Sequence, residues 1–233
     1  MNDRLKTVMN FKGYGNPEGG YWFIGIEERL PIDNDDKLSP YKKGIMFNKK
    51  RDYSKYKAEF YQQKRKEGKR GTYTAVYDIM GKILMDIQGL NGDPTNFLDE
   101  HLFEENGSNF YTFLYPLGKR LATATLSKAT KDFMGLNNMD EYYEIVEENR
   151  FKFLYKLWDD SKPKCTICFG KGNWNNFDKL LKQDKSNRLE VVENRIYFYP
   201  ESNVYLVPFF GNRRGSIRDL INLLSNDIKK RIK

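Results

Sequence analysis

Two adjacent carboxylates, Glu27 and Glu28, follow the apolar run Tyr21-Trp-Phe-Ile-Gly-Ile. A carboxylate at the exposed end of a buried strand can stabilise a developing positive charge and position or deprotonate a water, as a hydrolysis needs. Glu28 is the rival of Glu27, because a one-residue shift of the strand tip exchanges them. Two plainer readings stay open: the pair caps the following loop, or it pairs with a basic side chain. A third joins Glu27 and Glu28 to Asp33 or Asp35 around Mg²⁺, as in a nuclease, although no separate acidic strand end completes such a site. Asn212, Arg213 and Arg214 stand between a strand and a helix, where they can grip phosphate or fill a vacated base stack. Lys119 and Arg120 are a second candidate phosphate contact, and Lys171, between Gly170 and Gly172, a weaker one that fits no phosphate-loop motif. Cys165 and Cys168 have redox-pair spacing, but such a pair opens a helix, whereas Cys-Thr-Ile-Cys-Phe alternates as a strand and reads as core.

The elements that must hold these residues follow from hydropathy patterning. Buried strands are expected at 21–27, at 109–115 closed by Pro116, at 164–170 ended by glycine, and at 204–210. Leu189–Val192 and Arg195–Tyr199 flank Glu193-Asn194 as a hairpin. Helices are expected over 52–66, 72–90, 139–158, Trp174 to about Lys182 with Asn173 as cap, and 217–231. Thr95 and Asp99–Glu100 mark a short helix. Residues 28 to about 50 form a long loop, a length that tends to carry function. Strands separated by helices imply a three-layer α/β/α fold around a mostly parallel sheet. Its ligands collect beyond the carboxyl ends of the strands. The segments there, at 25–28, 114–118, 168–172 and 208–214, combine carboxylates, cations, aromatics and glycine turns. That mixture suits a pocket for a base beside a phosphate backbone.

The 233 residues include 40 Lys+Arg and 32 Asp+Glu, a net charge of +8, with 15% aromatics. One domain over 1–233 is expected, with a frayed basic C-terminus from about 228, and the aromatics supply a core that excludes global disorder. The basic residues are clustered, which fits either a solvated surface or counterion release from nucleic acid, and charge alone does not separate DNA from RNA. No apolar run approaches a membrane span and no secretory leader is visible, so a cytoplasmic protein without membrane contact is expected. Two cysteines and one histidine, His101, do not make a structural zinc site, and no metal or cofactor is expected. The sole histidine also disfavours the usual His-based hydrolases.

In order along the chain, these segments resemble the motifs of the uracil-DNA glycosylase superfamily. FIGIEE is similar to the first motif, with Glu27 on its catalytic Asp/Asn position. Gly44-Ile-Met-Phe47 resembles the loop whose Phe stacks on the extruded base. Phe113-Leu-Tyr-Pro-Leu is similar to the base-reading strand, CFGKGNWNNF to the later strand–glycine–helix unit, and Pro208-Phe-Phe-Gly-Asn-Arg-Arg to the segment carrying the DNA-inserting loop. The resemblance spans about residues 13–225. It implies a monomeric DNA glycosylase that flips its target base, with Phe47, Phe113 and Phe209 as walls of the base site. Phe113 replaces the strand asparagine that reads uracil in many members, and no histidine falls on the family's leaving-group position. The implied substrate is therefore an unusual or bulky modified base, such as the hypermodified cytosines attacked by anti-phage branches of the superfamily. The competing reading is a non-catalytic nucleic-acid-binding protein on the same fold.

Overall fold

The computed structural model describes residues 1–29, 75–119, 125–210 and 216–232; the side chains of residues 28, 29, 75, 119 and 216–218 lie outside that description. The expected helix over 52–66 and the loop at 28–50 fall outside it almost entirely. The architecture is a three-layer α/β/α fold with a mostly parallel sheet.

Seven strands form one sheet: β1 (Tyr14–Gly15), β2 (Tyr21–Arg29), β3 (Asn109–Lys119), β4 (Cys165–Phe169), β5 (Leu189–Val192), β6 (Ile196–Tyr199) and β7 (Val204–Val207). Their order is β1-β3-β2-β4-β7-β6-β5. The four central strands β3, β2, β4 and β7 are parallel, while β1 and the β5–β6 hairpin complete the edges antiparallel. β4 is buried at all five positions, as a strand covered on both faces must be.

The helices divide between the faces. On one face, α2 (Ala75–Gln88), α3 (Pro94–Glu100) and α8 (Ser216–Arg231) cover Phe23, Tyr111, Phe113, Ile167, Phe169 and Tyr205. The helical repeat of Ile79, Met80, Ile83 and Leu84 is the stripe α2 buries there. On the other face, α1 (Asp3–Met9), α4 (Lys128–Met134), α5 (Met139–Ile145), α6 (Phe151–Ser161) and α7 (Trp174–Leu180) cover Trp22, Ile24, Phe110, Leu114, Cys168 and Leu206. Cys165 and Cys168 are both fully buried free thiols, one in each core cluster. They lie on opposite faces of the sheet and are core residues. No helix among the described residues is long and apolar enough to cross a membrane.

Several local expectations are corrected. The turn-rich start hides α1 and β1, and α4 is likewise additional to the expected elements. β3 does not end at Pro116 but continues to Lys119, because the ladder with β2 slips there: Glu27 pairs with Tyr115, and Arg29 with Lys119. The extra residues bulge out, so the missing proline N–H costs no ladder bond. β7 stops at Val207, before Pro208. The C-terminus is helical as far as Arg231, not frayed from 228, with Ile228 in the core and Arg231 ion-paired to Asp227.

The helix expected over 139–158 contains a π turn, Val146–Arg150, between α5 and α6. Helical spacing breaks there and Arg150 turns inward, with no exposed surface. Its guanidinium donates to the carbonyls of Met9, Phe11 and Phe113 and to Thr112 Oγ1. Thr112 in turn donates to Lys12 O. Burial pushes the Arg150 pKa down to about 9, which leaves it charged at neutral pH. This cation ties the chain after α1 to the middle of β3.

Candidate functional site

The carboxyl ends of β3, β2, β4 and β7 share one edge of the sheet. After β2 the next described helix, α2, packs on one face; after β3 and β4 the chain goes to α4–α7 on the other. The tip of β2 is therefore a topological switch on both sides, which is where an open α/β sheet leaves a crevice. Glu27 stands at that tip, partly buried, in register with Tyr115. Glu28 is in the same strand, with its side chain outside the described residues.

Tyr115 is the centre of a polar cluster. Asn176 Nδ2 donates to the Tyr115 hydroxyl at 2.8 Å and lies 3.2 Å from Asn173 Oδ1. Tyr143 packs edge-on against the Tyr115 ring at 5.3 Å. Burial, with the nearby Tyr143, Glu147 and Glu27, pushes the Tyr115 pKa up to about 12. The phenol thus stays protonated, and because Asn176 donates to it, its own O–H remains a donor.

Local sequence explains how α7 reaches this position. Gly170 has φ +131°, and a Cβ there would lie 2.5 Å from Ile26 Cδ1. Only glycine lets the chain turn over β2 so closely. Trp174 Nε1 then bonds to Val207 O at 3.2 Å, pinning the first turn of α7 to the end of β7. Asn173 occupies the cap position as expected, but its side chain accepts from the Asn176 side chain instead of a backbone N–H.

On the Gly25 face of the sheet, the core just below these strand tips is aromatic. Phe169 stacks with Phe210 at 4.7 Å and with Tyr111 at 6.0 Å. A Cβ on Gly25 would come within 2.8 Å of Phe169 and 3.0 Å of the Tyr111 hydroxyl. The absence of a side chain at Gly25, two residues before Glu27, is what admits this stack.

The sequence-derived candidates fare unequally. Glu27 is at the switch point. Phe209 is at the same edge, 44% exposed and 6.3 Å from Phe169. Phe113 is 1% exposed and packs on Tyr111 and Tyr14 in the core, so it is no open wall of the crevice. It sits on β3 opposite Gly25, inside the aromatic core of that face. Lys119 ends β3, its side chain outside the description. Phe47, Arg120, Asn212, Arg213 and Arg214, with Asp33 and Asp35, lie outside the described residues. Lys171 is exposed and donates to Asn194 O on the β5–β6 turn.

His101 belongs to the opposite edge. Its carbonyl accepts from Asn109, the first residue of β3, whereas Tyr115 is six residues along that strand. At about 3.3 Å per residue the two are roughly 20 Å apart. Sequence reasoning missed Tyr115, Asn173 and Asn176 as site residues. The available signal was the spacing of the two asparagines, three apart on one helical face just after a strand end.

No protein-family model matches the chain, and no curated protein matches it.

Proposed function

We propose that this chain is a DNA glycosylase that hydrolyses the N-glycosidic bond of an unusual or modified base and leaves an abasic site. The observation that carries the reading is the placement of Glu27 at the double switch point, in register with Tyr115 of the Tyr115–Asn176–Asn173 cluster. In this reading the extruded nucleotide enters the crevice. Glu27 stabilises the cationic sugar, orients a water toward C1′ and accepts the proton that water loses on adding to it. The base leaves with the bonding electrons, and Tyr115 O–H, oriented by Asn176, donates a hydrogen bond to it. Phe209 offers a ring at the rim. The net charge of +8 suits a polyanionic substrate, and the ordered resemblance to uracil-DNA glycosylase motifs points the same way. Hypermodified cytosine, as in phage DNA, is the substrate class that resemblance favours, and a monomer the expected state.

One observation favours the second reading, a nucleic-acid-binding protein without catalysis: the only histidine lies at the far edge of the sheet. Base release separates the two. The protein is incubated in EDTA with DNA carrying uracil, hydroxymethylcytosine, glucosylated hydroxymethylcytosine or no modification, and abasic sites are read by alkaline strand cleavage. Alkali-dependent cleavage of one modified substrate, lost in Glu27→Gln, supports the glycosylase. Binding without abasic sites supports the binding protein. Direct strand scission that needs Mg²⁺ would support a nuclease instead.

A further inference from the structure

Away from the crevice, a groove of about 440 Å³ runs between α6 and α7. Lys152, Lys179 and Lys182 line it, with Tyr155 and Phe151 as its aromatic wall. Glu147 is the only acid among its lining residues and is paired with Lys179 at 2.9 Å, so the groove carries a net positive charge. Its two ends differ. Glu147 marks one end, and its partner Lys179 follows Asn176 by three residues on α7, so one helical face leads from the candidate site into the groove. Tyr155 lies eight residues further along the same helical run, about 12 Å away. That length spans roughly three steps of a duplex strand at 3.4 Å each.

Lys182 is the unusual residue. The chain turns left-handed there, φ +51°, just after α7, and Gln183 N–H closes the turn onto Asp178 O. Glycine is the residue that such a helix end favours. Instead the position carries a lysine whose ammonium sits 3.7 Å over the Tyr155 ring, inside the groove. Lys162 ends α6 in the same conformation, φ +45°, but is not part of the groove lining. The two lysines thus have the same backbone problem, and only one of them faces the groove.

We propose that this groove carries the phosphodiester backbone of nucleic acid running off the candidate site, with Lys152 and Lys182 as its phosphate contacts. The inference rests on the nucleic-acid reading of the site and extends it to a surface that reading does not use. The experiment is fluorescence anisotropy of a labelled DNA oligonucleotide titrated with wild type, Lys182→Gly, Lys152→Ala and the control Lys162→Gly over a salt series. Lys182→Gly and Lys162→Gly both relieve a left-handed lysine, so both should keep or raise Tm. The proposal expects Lys182→Gly and Lys152→Ala each to weaken binding by about tenfold at low salt and to lower the log–log salt slope by about one, with Lys162→Gly like wild type. Equal affinity and slope in wild type and both groove variants would overturn the groove and leave the crevice reading standing. Equal losses in all three variants would show a general charge effect and also overturn it. Failure of the wild type to bind DNA at all would overturn both readings.

Discussion

The two edges of the parallel sheet use the same residue types for different ends. At the amino edge, the most deeply buried polar side chains bond chiefly to backbone. Asn109 is fully buried, accepts from Phe103 N–H at 2.6 Å and donates to His101 O at 3.0 Å. Trp22 Nε1 donates to Pro17 O. At the carboxyl edge, asparagines and a tyrosine bond to one another, Asn176 to Tyr115 and Asn173, beside a partly buried carboxylate. Side chains that satisfy backbone groups hold a fold. Side chains that orient each other across a crevice keep hydrogen-bonding capacity for a ligand. The histidine, which by type looks the more catalytic group, sits at the edge that builds structure.

Substitutions can break this contrast, beginning with the largest effect. Glu27→Gln should lower base release by about 10²–10⁴-fold, the usual worth of a positioned acid–base group, while its circular dichroism and Tm stay near wild type. A fold collapse in that variant would make Glu27 a structural residue and erase the difference between the edges. Arg150→Met should cost several kcal/mol in urea unfolding. It strands carbonyls of Met9, Phe11 and Phe113, and each unsatisfied buried group costs about 1–3 kcal/mol. Asn109→Ala, at the structural edge, should cost about 1–3 kcal/mol because the buried Phe103 N–H loses its acceptor. Well below its lowered Tm, its rate of base release should match wild type.

Smaller effects sharpen the picture. Asn176→Ala and Tyr115→Phe should each reduce base release by about 10–100-fold with little change in Tm, as expected for one oriented hydrogen bond of about 1–3 kcal/mol. The smallest concerns alkaline stability. Tyr115 has a folded pKa raised from 10.0 to about 12. The folded state then holds a proton that the unfolded state releases, so its contribution is full below pH 10 and is lost as pH rises toward 12. Tyr199, buried against Asp178, and Tyr205, buried against Asp227, are pushed in the same direction. Unfolding free energy should therefore fall above pH 10, and the fall should be shallower in Tyr115→Phe. An unchanged slope in that variant would mean that the Tyr115 hydroxyl is well solvated.

Much of this was legible from the chain alone. The alternation and apolar runs at 21–27, 109–115, 164–170 and 204–210 mark the strands to within a few residues, the stripe over 72–90 marks a helix, and their order implies a mostly parallel sheet between two helical layers. The candidate site was legible only where a proposed residue stands at or near the end of such a run, as Glu27 and Phe209 do. Those are local properties, encoded in neighbours a few residues apart. The rest required tertiary structure. Pro116 reads as a stop, yet the ladder with β2 absorbs it in a bulge. Arg150 falls inside the helix expected over 139–158, yet a π turn and acceptors from two distant segments, 9–11 and 112–113, make it core. Phe113 reads as a pocket wall, yet it packs against Tyr14 and Tyr111 in the core. Asn176 and Tyr115 meet across 61 positions, a pairing set by which way each crossover leaves the sheet. Short-range patterning fixes periodicity and burial. It does not specify which strand ends converge, because that follows from the directions of the connections and the packing of both faces at once.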